Sequence, residues 1–125
     1  MSEEDIWRFD NFSVVQRRDI VEKGRRIIAP ARKLWDEAQD ARVAEAFDFS
    51  FEKRGETSVF EGPSLIVAGR QDSISGYLDA IDLLAQFPRA SLAVLDAAGH
   101  GLAFERPQLF NALVWDWLER LNGIY

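Results

Sequence analysis

The chain contains no cysteine and a single histidine. The first absence excludes disulfides, thiolate catalysis and Cys-based zinc sites, and the second excludes a multi-histidine metal centre. No cofactor or metal is therefore expected. No apolar run approaches the ~18 residues of a membrane span. The opening Met1-Ser2-Glu3-Glu4-Asp5 is acidic where a secretory leader would carry positive charge. These features predict a soluble cytoplasmic protein with no membrane partner. Positive charge is also in short supply: 15 Lys and Arg face 21 Asp and Glu, for a net charge of −6. That balance argues against a nucleic-acid partner. What remains is ordinary for one globular domain, 125 residues with 47% hydrophobic side chains, long enough to bury about two-thirds of its unfolded surface.

Two zones divide the sequence at about residue 62. The first holds most of the cations and is largely helical in pattern. From Gln16 to Leu34 the apolar residues Ile20, Val21, Ile27, Ile28 and Leu34 recur at helical spacing, with Pro30 a break or kink. A second helix is predicted over Asp36–Phe47. Phe47-Asp48-Phe49-Ser50-Phe51 alternates strictly and reads as a short strand or an extended segment; 53–62 reads as loop.

The second zone, 63–125, is more regular. Ser64–Gly69 and Ser91–Leu95 are short apolar runs that suit strands buried on both faces. Between them, Gly76–Phe87 places Tyr77, Leu78, Ile81, Leu84 and Phe87 on a helical face that Pro88 terminates. Pro107 opens a last helix over Arg106–Leu121. Strand, helix, strand, helix is the closing half of an α/β parallel sheet. A right-handed crossover brings both strands out on the same side, about 4.8 Å apart.

Asp72 and His100 stand 28 residues apart, one just beyond each strand. That is the crevice where open α/β sheets keep their sites, so the two are predicted to meet. A carboxylate there can accept the Nδ1–H of an imidazole and fix its tautomer, as in a Ser-His-Asp hydrolase. Each residue also has a plainer reading. Asp72, Ser73 and Ser75 precede a helix that they could cap, and His100, between Gly99 and Gly101, could be an exposed loop side chain. Those glycines permit unusual backbone angles and close approach.

Other clusters carry less. Arg17, Arg18, Lys23, Arg25, Arg26, Arg32 and Lys33 are interleaved with Asp19, Glu22, Asp36 and Glu37, which predicts a salt-bridged solvated helix face. Gly99-His100-Gly101 starts like a dinucleotide fingerprint but follows the last strand and lacks the final glycine. Trp7, Trp35, Phe47, Phe49 and Phe51 could line an apolar pocket or form core. Nucleophilic hydrolysis on such a scaffold needs a serine in a G-x-S-x-G turn. None of the eight serines has glycine at both −2 and +2.

Pro63–Asp72, Ala90–His100, Glu105-Arg106-Pro107 and Leu113-Val114-Trp115-Asp116-Trp117-Leu118 together resemble the C-terminal part of the α/β-hydrolase family over about 63–121. Residues 12–51 more loosely resemble its helical lid. The resemblance implies a partial α/β-hydrolase fold: a helical lid-like segment over 1–62, then the last strands of a parallel sheet with flanking helices over 63–125. It implies that Asp72 is the triad acid and His100 the base. The nucleophile elbow is expected on a missing or separate N-terminal segment, with a small-molecule substrate once that half completes the site. Alternatively the chain is a non-catalytic remnant or a dimerisation or binding module. Without preceding strands, 64–69 leaves an apolar edge, expected to be covered by the 1–60 segment, by self-association as a dimer, or by a complementary chain.

Overall fold

The computed structural model describes residues 2–47 and 58–123. β1 (Ser64–Gly69) and β2 (Ala90–Leu95) pair in parallel, in register from Ser64 opposite Ala90 to Gly69 opposite Leu95. Their apolar runs have no polar alternation, and α5 (Tyr77–Asp82) with a 3₁₀ turn (Leu83–Ala85) carries the chain back between them. A parallel pair requires such a crossover. The helix is shorter than the predicted 76–87. Leu78, assigned to its packed face, is 60% exposed.

After β2 come the short α6 (Leu102–Glu105) and α7 (Pro107–Leu121). Pro107 opens α7 where no N–H partner is needed. Near its other end, Trp117 donates its indole N–H to Pro63 O at 3.0 Å. Arg120 donates to Ser64 O at 3.0 Å and to Arg89 O at 3.2 Å. These bonds satisfy carbonyls where both strands begin and dock α7 along the sheet.

The strands are not buried on both faces as predicted. Gly69 alone is buried; the other residues of both strands are half-buried. The reason is width: the sheet holds two strands, and among the described residues no third joins the free side of β1. Among the described residues the buried hydrophobic side chains reduce to Ile20 and Ala98, while Trp115 is 66% exposed.

In the first zone α1 (Glu3–Phe12) precedes α2 (Arg18–Lys23), a π turn (Gly24–Ile28) and α3 (Ala29–Arg32), and α4 (Glu37–Glu45) follows. Pro30 does not break the helix. The turn before it widens, with Ala29 N–H bonding to Gly24 O, which makes room for a residue that lacks an N–H and crowds the preceding carbonyls. Asp36 is the N-cap of α4, its Oδ1 accepting from Gln39 N at 3.0 Å.

The aromatic residues need correction. Trp7, Trp35 and Phe47 are exposed and not core; Trp7 meets Phe12 edge-on at 5.7 Å, and Trp35 lines a shallow open hollow with Leu34 and Ala38. Phe49 and Phe51 lie outside the described residues, as do the 48–51 alternation and the 53–57 part of the predicted loop. The basic cluster is salt-bridged as the interleaving implied: Arg17 pairs with Asp19 at 2.6 Å and Arg25 with Glu22 at 3.9 Å. Arg32 instead reaches Glu4 at 2.6 Å.

Candidate active site

The loops after β1 and β2 leave the sheet side by side and remain bonded beyond the ladder. Arg70 N–H donates to Leu95 O at 2.8 Å and Gln71 N–H to Ala98 O at 3.0 Å. The Gln71 side chain spans the same gap, donating to Asp96 Oδ1 at 2.6 Å and accepting from Ala98 N at 3.2 Å. The backbone therefore holds Asp72 and His100 opposite each other.

Asp72 divides its work between its two oxygens. Oδ1 accepts from Ile74 N at 2.8 Å and Ser75 N at 3.1 Å, which closes a local turn ahead of the helix. Oδ2 lies 3.2 Å from His100 Nδ1. Asp72 therefore does not cap the helix that follows, whose N-cap is Gly76 with no side-chain bond; it closes a local turn and also faces the imidazole. The carboxylate is 8% exposed, against 53% for the His100 side chain. Burial is the largest single influence on its proton affinity and raises it. The N–H groups of Ile74 and Ser75, with His100, outweigh burial and leave the acid below its usual range. An ionised carboxylate can only accept, so a hydrogen bond across this contact requires the hydrogen on Nδ1.

The turn that carries His100 is fixed from three directions. Arg106 donates to Asp96 O at 2.8 Å. Ala97, not either glycine beside the histidine, takes the left-handed conformation, with φ 52°. Gly99 serves close approach: a Cβ there would stand 2.9 Å from Val14 Cγ2. Gly69 is similarly constrained, since its Cβ would meet Gly99 O at 2.5 Å. Finally Glu105, 3% exposed, accepts from Gly99 N at 2.6 Å. Gln71 and Glu105 are the residues that sequence reasoning passed over. The available signals were an amide between two charged loop residues, and one acid closing the apolar run Leu102-Ala103-Phe104.

His100 opens onto a cleft of about 410 Å³. Phe9, Phe12, Val21, Ile28 and Ile74 form apolar walls, and Arg8 and Arg32 add guanidinium groups. Glu4 bridges those two, at 3.1 Å from Arg8 and 2.6 Å from Arg32. First Arg8 and then Arg32 hold its carboxyl below the usual range. Ser13 also lines the cleft, but it follows α1, with its N–H bonded to Phe9 O, and not a strand-to-helix elbow.

Two parallel strands joined by a helix, with an acid and an imidazole in contact past their carboxyl ends, are the closing portion of an α/β-hydrolase fold. The crystal structure of an alpha/beta superfamily hydrolase from Oenococcus oeni PSU-1 matches with a TM-score of 0.85, covering 97% of this chain and 45% of that chain at 20% sequence identity. The protein has part of that fold. A stretch of 59 residues is 39% identical to the 2-hydroxy-6-oxononadienedioate/2-hydroxy-6-oxononatrienedioate hydrolase 2 of Pseudomonas putida, covering 47% of this chain and 21% of that protein. The chain thus spans less than half the length of the hydrolases it matches. No protein-family model matches it.

Proposed function

We propose that this chain supplies the acid and the base of a Ser-His-Asp hydrolase, with the nucleophilic serine coming from a segment outside this sequence. The observation that carries the reading is the 3.2 Å contact between Asp72 Oδ2 and His100 Nδ1, with the other carboxylate oxygen held by two backbone N–H groups. His100 Nε2 takes the hydroxyl proton as the serine oxygen attacks the substrate carbonyl carbon. Asp72 stabilises the imidazolium, which then gives its proton to the leaving group. Water repeats the sequence on the acyl-serine and releases the acid.

The cleft suggests the substrate class. The Pseudomonas putida relative acts, by its name, on hydroxy-oxo dienedioates, carbonyl compounds with two carboxylates. Apolar walls beside Arg8 and Arg32 suit an apolar or unsaturated chain with a carbonyl and an anionic end. In this reading the 2–47 helices act as the cover over the site. The free side of β1 takes a strand of the completing segment. Self-association at the same edge is the competing arrangement.

Hydrolysis of p-nitrophenyl acetate tests the reading. The chain alone is expected to be inactive, and a complementary fragment bearing a G-x-S-x-G turn restores activity that His100→Ala abolishes. A stable complex that stays at background would favour the non-catalytic binding module. Activity that survives His100→Ala would contradict the assigned base.

A further inference from the structure

We propose that Glu105 is a positioning residue that joins the His100 turn to the 12–15 segment, so that the helical cover and the base move as one body. Its functional meaning rests on the reading of His100 as a base; its physical content rests on contacts alone. Three backbone donors converge on this one carboxylate. Oε1 accepts from Val14 N at 2.6 Å and Val15 N at 2.9 Å, and Oε2 accepts from Gly99 N at 2.6 Å. Gly99 immediately precedes His100, while Val14 and Val15 lie 91 and 90 residues before Glu105, between α1 and α2.

The chemistry is specific to a carboxylate. Satisfying donors on both sides requires two accepting oxygens, and a glutamine would offer one acceptor and one donor. A buried polar group is costly unless it is hydrogen-bonded, and here the donors come from the two segments that need joining. An independent observation agrees. A Cβ on Gly99 would stand 2.9 Å from Val14 Cγ2 and 3.2 Å from Phe12 O, so the Gly99 backbone packs directly against the 12–15 segment. Phe12 and Ser13 line the cleft together with His100 and Gly101. A displacement of the cover at 12–15 therefore pulls on the turn that aims the imidazole.

Amide hydrogen exchange and ¹⁵N NMR of the sole histidine test this on the whole chain. In the wild type, Val14, Val15 and Gly99 are expected to exchange as one unit with a shared response to denaturant. Glu105→Gln speeds exchange at Gly99, or at Val14 and Val15, by about ten- to a hundredfold. It also weakens the His100 Nδ1–H signal, while the β1–β2 amides keep their protection. Gly99→Ala, which inserts a wedge rather than removing an acceptor, frees Val14 in the same way. Unchanged exchange and an unchanged His100 signal in Glu105→Gln would overturn the proposal. Should that variant not fold, Val14 and Val15 exchanging independently of Gly99 in the wild type would overturn it equally. An inactive complemented enzyme that still shows the linked exchange would sink the hydrolase reading and leave the clamp standing.

Discussion

Replacing Asp72 with asparagine preserves shape and inverts one hydrogen bond. The asparagine oxygen can keep the Ile74 and Ser75 N–H groups, now at 2.8 and 3.1 Å from Oδ1. Its NH₂ then takes the place of Oδ2, 3.2 Å from His100 Nδ1. Two donors cannot face each other, so Nδ1 must become the acceptor and the proton moves to Nε2. The base then presents a hydrogen where it should present a lone pair. In the completed enzyme kcat is expected to fall by on the order of 10⁴, about 5.5 kcal/mol of transition-state stabilisation. Stability changes far less. Two backbone bonds pass from charged to neutral acceptors at about 1 kcal/mol each, and the pair with the half-exposed His100 adds little. The paired assays are kcat on p-nitrophenyl acetate with the complementary fragment, and urea unfolding of each protein. A variant within about tenfold of wild-type kcat would refute the tautomer argument; a loss of kcat accompanied by collapse of the fold would refute its claim to be local.

Three further outcomes are expected. Gly69→Ala places a Cβ 2.5 Å from Gly99 O and 2.6 Å from Ala98 O; backbone cannot swing aside as a side chain can, so urea unfolding should show a loss of about 1–3 kcal/mol, with His100 displaced in the NMR spectrum. Ala97→Gly relieves a left-handed alanine at φ 52° and should raise unfolding free energy by up to about 1 kcal/mol, read from the same titration. Asp72 is held below its ordinary range when folded, so its contribution is complete above the unfolded carboxylate value near ~3.9. It is lost as pH falls through the lower folded value, because the unfolded chain binds the proton more readily. Urea midpoints measured across acid pH should fall more gently in Asp72→Asn than in the wild type.

Much of the sheet was legible because it depends on short-range signals. Ser64–Gly69 coincides with its apolar run, and β2 begins one residue before the predicted start. The meeting of Asp72 and His100 followed from topology: two parallel strands joined by a crossover must deliver their exit loops to one edge. The supports of that contact were not legible. Gln71 and Glu105 act through backbone groups distant in sequence, and nothing in a side chain's identity announces which distant N–H it will face. The glycine reading held in one half and failed in the other: Gly99 gives the close approach, to Val14, while the left-handed angle falls on Ala97. Hydrophobicity indicates a preference for burial but supplies no partner: among the described residues Trp7, Trp35 and Phe47 are exposed.

With one histidine in the chain, its ring nitrogens can be assigned without ambiguity. Long-range ¹H–¹⁵N correlation at alkaline pH, where the ring is neutral, therefore reads the acid–base contact directly. A hydrogen on Nδ1, shifted by a carboxylate acceptor and lost in Asp72→Asn, is the result expected. A ring protonated on Nε2, or one whose signals are indifferent to residue 72, would contradict it.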